Sequence, residues 1–110
     1  MSIRIAGTGS YVPERILSNA DLEKMVETND EWIRTRTGIE ERRIASPEQA
    51  TSDLAYEACL KALDMAGIKG EEVDAIIVGT ITPDYVFPST GCILQNRLRA
   101  KGAFCVDLEA

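Results

Sequence analysis

The sequence runs to 110 residues, 45% of them hydrophobic and 27% charged, a composition that excludes a disordered polymer and fits one small globular domain. Eighteen acidic residues against twelve basic ones give a formal charge of −6, which argues against a general attraction to nucleic acid or to an anionic membrane, since both select Lys/Arg-rich faces. Three cysteines, widely spaced, and no histidine argue against a disulfide framework or a zinc site and exclude any Ser–His or Cys–His dyad within these residues.

The opening Met1-Ser2-Ile3-Arg4-Ile5 lacks the basic and long apolar regions of a secretory signal, and no apolar run reaches the roughly 18 residues of a membrane span. A cytoplasmic location is expected, with neither nucleic acid nor membrane as partner. Residues Ile3 to Gly9 read as a first strand closed by Gly7-Thr8-Gly9, followed by a turn at Pro13. A dinucleotide-binding fingerprint would need another small residue three positions after Gly9, where Val12 stands.

Ser18-Asn19-Ala20-Asp21 has the form of a capping box, and Leu22, Met25 and Val26 follow at helical spacing, which predicts a short amphipathic helix. A second start follows at once: Thr28 stands three before Glu31, Trp32 and Ile33 come next, and Gly38 is placed to stop the segment. After an extended stretch near Ile39 to Ile44, the longest helix is predicted from about Thr51 to Ala66, ending at Gly67. Its face of Ala55, Ala58, Cys59, Ala62, Leu63 and Ala66 is small enough for close approach to a sheet.

Val73 to Ile81 is β-branched and almost continuously apolar, the pattern of a strand covered on both faces. A loop with Pro83 and Pro88 leads to a helix from about Ser89 to Arg99, and Ala103 to Leu108 reads as another buried strand. Alternating strands and helices imply an α/β fold with a mainly parallel sheet and helices on both faces. Such a design ordinarily takes about 150 residues or more, so the domain is expected to be incomplete rather than small.

Trp32 is the only tryptophan and lies one helical turn before Arg36, so both project from one face. An aromatic face and a guanidinium at that spacing can grip a flat adenine, and arginine also suits phosphate oxygens. The same pattern fits a half-buried tryptophan that only covers a short helix, with Thr28 as its N-cap. Four arginines, Arg34, Arg36, Arg42 and Arg43, outnumber three glutamates between residues 31 and 43, a locally positive stretch in an acidic chain. A solvated face with ion pairs serves equally for Arg34, Arg42 and Arg43, so only Arg36 is singled out. Cys92 falls in the first turn of a predicted helix, where the dipole would favour a thiolate, but it has no base beside it. Its expected role is a packed helix residue, with Cys59 and Cys105 likewise in the core.

Five separated blocks carry a resemblance: Gly7-Thr8-Gly9-Ser10-Tyr11-Val12-Pro13; Ser18-Asn19-Ala20-Asp21-Leu22-Glu23; Asp30-Glu31-Trp32-Ile33 with Arg36-Thr37-Gly38-Ile39; Glu41-Arg42-Arg43; and Phe87-Pro88-Ser89. In this order and spacing the whole chain resembles the β-ketoacyl-acyl-carrier-protein synthase III family, condensing enzymes on a thiolase-like fold. The resemblance implies that residues 1–110 form the N-terminal part of the first half of that fold, the remainder lying outside them. It implies a homodimer that joins an acyl-CoA primer to malonyl-acyl carrier protein through a cysteine thioester, with a coenzyme A thioester as substrate and no resident cofactor or metal.

By the same resemblance Trp32 and Arg36 contact the nucleotide end of coenzyme A, Thr28 hydrogen-bonds near it, and Phe87 crosses a two-fold interface to shape the partner's acyl pocket. The family's nucleophile follows a pattern close to Asp-x-x-Ala-Ala-Cys, of which Asp107, Leu108, Glu109 and Ala110 are present, so the cysteine is expected shortly after Ala110 at a helix N-terminus. Its histidine and asparagine partners are expected further on. No residue here is thus assigned as catalytic, and the segment alone is expected to be inactive. Another thiolase-fold acyl-CoA condensing enzyme, or a non-catalytic CoA-binding or scaffold segment, would share this front end.

Overall fold

Backbone demands at helix starts and stops set most of the element boundaries. The structure, a computed structural model, describes residues 1–109. It divides into two compact units, one of Val12–Glu48 and one of Met1–Tyr11 with Gln49–Ala110.

In the smaller unit, β1 (Arg15–Ser18) pairs antiparallel with β2 (Glu41–Ile44), Arg15 opposite Ile44 and Ser18 opposite Glu41. The strand β1 is unforeseen from sequence. It runs directly into α1 (Asn19–Glu23), where the predicted capping box is present: the Ser18 hydroxyl accepts from the Asp21 N–H while the Asp21 carboxylate accepts from the Ser18 N–H at 3.1 Å. The next helix, α2 (Asp30–Thr37), starts one residue later than predicted, because Asn29 rather than Thr28 is its N-cap. Asparagine is the better cap, and its side-chain oxygen accepts from the Trp32 N–H at 2.7 Å. Gly38 ends the helix in the left-handed conformation, φ 71°, as its position predicted.

In the larger unit, α3 (Thr51–Ala66) has the predicted limits and stops at Gly67. A single 3₁₀ turn at Gly70–Glu72 precedes β3 (Ala75–Gly79), which pairs parallel with β4 (Phe104–Leu108), Ala75 opposite Phe104 and Gly79 opposite Leu108. Between them runs α4 (Thr90–Leu98), capped by Ser89 at its start and closed by Arg99, as the crossover of a parallel pair requires. Ile76, Leu94, Leu98, Ala100 and Ala103 form the buried cluster, against which Ala55, Cys59 and Leu63 of α3 pack.

The predicted close approach on α3 is real but has a different partner. Ala58, Ala62 and Ala66 form a second stripe, and the backbone at Gly7 and Gly9 lies so tightly on it that a β-carbon at either glycine would collide with the carbonyl oxygens of Ala62 and Ala58. Ile3 to Gly9 makes no strand ladder, contrary to the sequence reading. A ladder needs a neighbouring strand, and among the described residues none pairs with this segment. Nor is β3 covered twice: Ile76 faces α4, whereas Ile77 is 60% exposed on the opposite face beside Phe104, Val106 and Leu108.

Candidate functional site

The site residues singled out from sequence lie at two places, Thr28, Trp32 and Arg36 on and beside α2, and Phe87 in the loop before α4. Burial of Ile33 anchors α2 by one face and turns the opposite face outward. Trp32 is 54% exposed, and the Arg36 guanidinium sits over its ring, 5.5 Å from the centre, within the range of a cation–π contact. Two hollows flank the indole. One of about 260 Å³ is lined by Glu27, Thr28, Asn29 and Trp32, the other of about 370 Å³ by Asn29, Glu31, Trp32, Thr35 and Arg36. The structure therefore brings all three α2-side residues to the rim of open hollows, and with Asn29 acting as cap the Thr28 side chain is left to line one of them.

The arginines divide as their partners dictate. Arg34 pairs with Asp30 and Glu40, Arg42 donates to the Asn19 side chain at 2.9 Å, and Arg43 donates to the Pro13 carbonyl and lies near Glu41. Of the four, Arg36 alone has no polar partner among the described residues. An arginine with its five donors unspent beside an open aromatic ring is suited to an anionic ligand that carries a flat base.

One residue that holds this geometry was not picked out as a site residue. Asn19, 2% exposed, donates to the Asp30 carboxylate at 2.7 Å and to the Ile39 carbonyl at 2.8 Å while accepting from Arg42. It ties together both ends of α2 and strand β2. The only sequence signal was an amide directly after the helix cap, which by itself reads as an ordinary first-turn residue.

Phe87 is 87% exposed and stands with Tyr85 and Val86 in a projecting apolar run. Cys92 is exposed, not packed as predicted, because it sits on the outer side of the first turn of α4 while Leu94 takes the inner side. Cys59 and Cys105 are partly buried against the core, and burial raises both thiols above their ordinary value. At the end of β4, the Asp107 carboxylate accepts from the N–H groups of Thr90 at 2.7 Å and Gly91 at 2.9 Å, fixing the strand end to the start of α4.

The parallel βαβ unit of β3, α4 and β4, with the elements packed on it, is a segment of the thiolase-like fold, as its likeness to solved structures shows. The solved 3-oxoacyl-[acyl-carrier-protein] synthase III of Aquifex aeolicus superposes with a TM-score of 0.94 and 50% identity, over 99% of this chain and 35% of its own. A priming β-ketosynthase from the R1128 polyketide pathway does so with a TM-score of 0.91 and 36% identity, over 97% of this chain and 32% of its own. No family model matches. Among curated proteins, the β-ketoacyl-[acyl-carrier-protein] synthase III of Caldanaerobacter subterraneus subsp. tengcongensis is 64% identical over 104 residues, 94% of this chain and 31% of that protein. That of Xanthomonas oryzae pv. oryzae is 58% identical over 107 residues, 97% of this chain and 33% of that protein. The chain belongs to the β-ketoacyl-[acyl-carrier-protein] synthase III family, and spans about a third of the length of the curated relatives it matches.

Proposed function

We propose that these residues are the nucleotide-gripping and partner-facing portion of an enzyme that starts fatty acid synthesis by decarboxylative Claisen condensation. In the full-length enzyme a cysteine thiolate outside residues 1–109 attacks the carbonyl carbon of an acyl-CoA, and coenzyme A leaves as its thiolate. Loss of carbon dioxide from malonyl-acyl carrier protein then places an electron pair on the α-carbon, which attacks the enzyme-bound thioester and releases the cysteine. Histidine and asparagine from elsewhere in the enzyme assist, so residues 1–109 supply binding and not chemistry.

Trp32, Arg36 and Thr28 hold the adenine nucleotide of coenzyme A, and Phe87 enters the acyl pocket of a second copy in a cytoplasmic homodimer. The observation that carries this reading is the exposed Trp32–Arg36 pair, flanked by open hollows and left with a guanidinium that no carboxylate among the described residues neutralises. Among the described residues no helix is long and apolar enough to cross a membrane.

The deciding experiment replaces Trp32 or Arg36 by alanine in the full-length enzyme and compares acyl-CoA with an acyl-pantetheine lacking the nucleotide. KM for acyl-CoA should rise by about tenfold, the change worth about 1.4 kcal/mol, with less effect on the pantetheine substrate. Equal losses on both substrates would remove the nucleotide-binding role. The likeness to a priming polyketide β-ketosynthase favours a second reading, in which the same front end serves another primer-loading synthase. Turnover with malonyl-acyl carrier proteins from the two kinds of pathway separates them.

A further inference from the structure

The longest helix has no N-cap side chain of its own. Ala50 holds that position, and while Asp53 accepts from the Ala50 N–H, the Ala50 side chain offers no oxygen to the first-turn donors. The acceptor comes from the loop after β3, where the Asp84 carboxylate takes the Ser52 backbone N–H at 2.8 Å and the Ser52 hydroxyl at 2.5 Å. Next to it the Thr51 hydroxyl donates to the Thr82 carbonyl at 2.5 Å. Ser52 is 3% exposed and Asp84 half-buried, so this two-pronged contact is partly shielded from water at the positive end of a sixteen-residue helix, where a carboxylate is most favoured.

Directly after this clasp the chain leaves the surface. Tyr85, Val86 and Phe87 are 63%, 101% and 87% exposed, and Ser89 then caps α4. A run of apolar side chains so far out in water is not held by its own packing, since burial is what would stabilise it. Polar anchors hold it instead, Asp84 on one side and Ser89 on the other.

We propose that Asp84 is a positioning residue: its clasp on Ser52 sets how far and in which direction Tyr85–Phe87 projects, and thereby how deeply Phe87 enters the acyl pocket of a second copy. Through that depth it tunes which primer length the partner accepts. The inference rests on the reading of Phe87 given above. The clasp touches neither substrate nor nucleophile and acts only through the projecting run.

The test uses the full-length enzyme with Phe87→Ala as reference, beside Asp84→Ala, Asp84→Asn and Ser52→Ala. The readout is the ratio of kcat/KM for a short and a longer acyl-CoA, measured with the Kd of coenzyme A and the dimer dissociation constant. Asp84→Ala should shift the ratio in the same direction as Phe87→Ala, by about fivefold to tenfold, without raising the Kd of coenzyme A. Asp84→Asn, which keeps an acceptor for the Ser52 N–H, should restore most of the parent ratio, a rescue that a general loss of stability would not follow. If Asp84→Ala does not fold, Ser52→Ala carries the test with a smaller shift in the same direction. A ratio within twofold of the parent for the Asp84 and Ser52 variants, while Phe87→Ala shifts it, overturns the positioning role alone. An unchanged ratio for Phe87→Ala overturns the Phe87 reading and the positioning role with it.

Discussion

The Arg36 guanidinium lies over the Trp32 indole, 5.5 Å from the ring centre, at a separation of one helical turn. A ring held in this way keeps its orientation for a second flat partner, while the cation remains close enough to meet phosphate oxygens. Arg36→Lys keeps the charge and loses the planar stack. It should weaken coenzyme A binding to the full-length enzyme by about 1 kcal/mol, several-fold in Kd. Coenzyme A should also change the indole fluorescence, and that change should vanish in Trp32→Phe. A Kd for Arg36→Lys within experimental error of the parent would dissociate the pair from the ligand.

Asn19→Ala removes two donors and one acceptor at a buried point and strands the Ile39 carbonyl and the Arg42 guanidinium. The expected cost is about 2 to 3 kcal/mol, read as a lower urea midpoint, with coenzyme A binding weakened as α2 loosens. A cost below about 0.5 kcal/mol would show that water replaces the amide without penalty.

Two carboxylates should add to the acid sensitivity of the fold. The Ala50 N–H, seconded by Arg97, holds Asp53 below its ordinary value of 3.8, and the Ser18 hydroxyl and N–H do the same for Asp21. A depressed folded value means that the unfolded chain binds more protons, so this contribution is complete above about pH 4 and disappears as pH falls through the folded values. Both groups are largely open to solvent, so each effect is modest. Urea midpoints measured between pH 6 and pH 2 should fall at the acid end, and Asp53→Asn should make that fall shallower. An identical slope in the variant would assign the acid sensitivity to other groups.

Thiol reactivity should follow exposure. Cys92 stands open at the first turn of α4, whereas Cys59 and Cys105 are partly buried and carry less thiolate at neutral pH because burial raises their thiols. Peptide-resolved alkylation of the native protein should label Cys92 well before the other two. Preferential labelling of Cys59 would mean that α3 detaches readily from the core.

Short-range chemistry made much of this fold legible. Helix α3 could be read to its end residues because an amphipathic run stopped at a glycine, and the Ser18–Asp21 box appeared as spaced. What escaped depended on partners distant in sequence. Strand β1, four residues with no clean alternation, exists because β2 lies beside it, and the apolar alternation of Ile3 to Gly9 lacks such a neighbour. In the candidate site, Trp32 and Arg36 were legible because a single helical turn joins them. Asn19 and Asp84 were not, since their partners lie up to 23 and 32 residues away, and no local pattern marks a residue whose role is to close such a span.

Gly7 and Gly9 leave no room between the leading peptide and the alanine stripe of α3. One methyl group at either position would wedge the two apart, with carbonyl oxygens as the immovable side of the wedge. Alanine there becomes the smallest lever available for prising the amino-terminal stretch from its seat, and susceptibility of Ile3–Tyr11 to an added protease becomes the gauge of whether it has lifted.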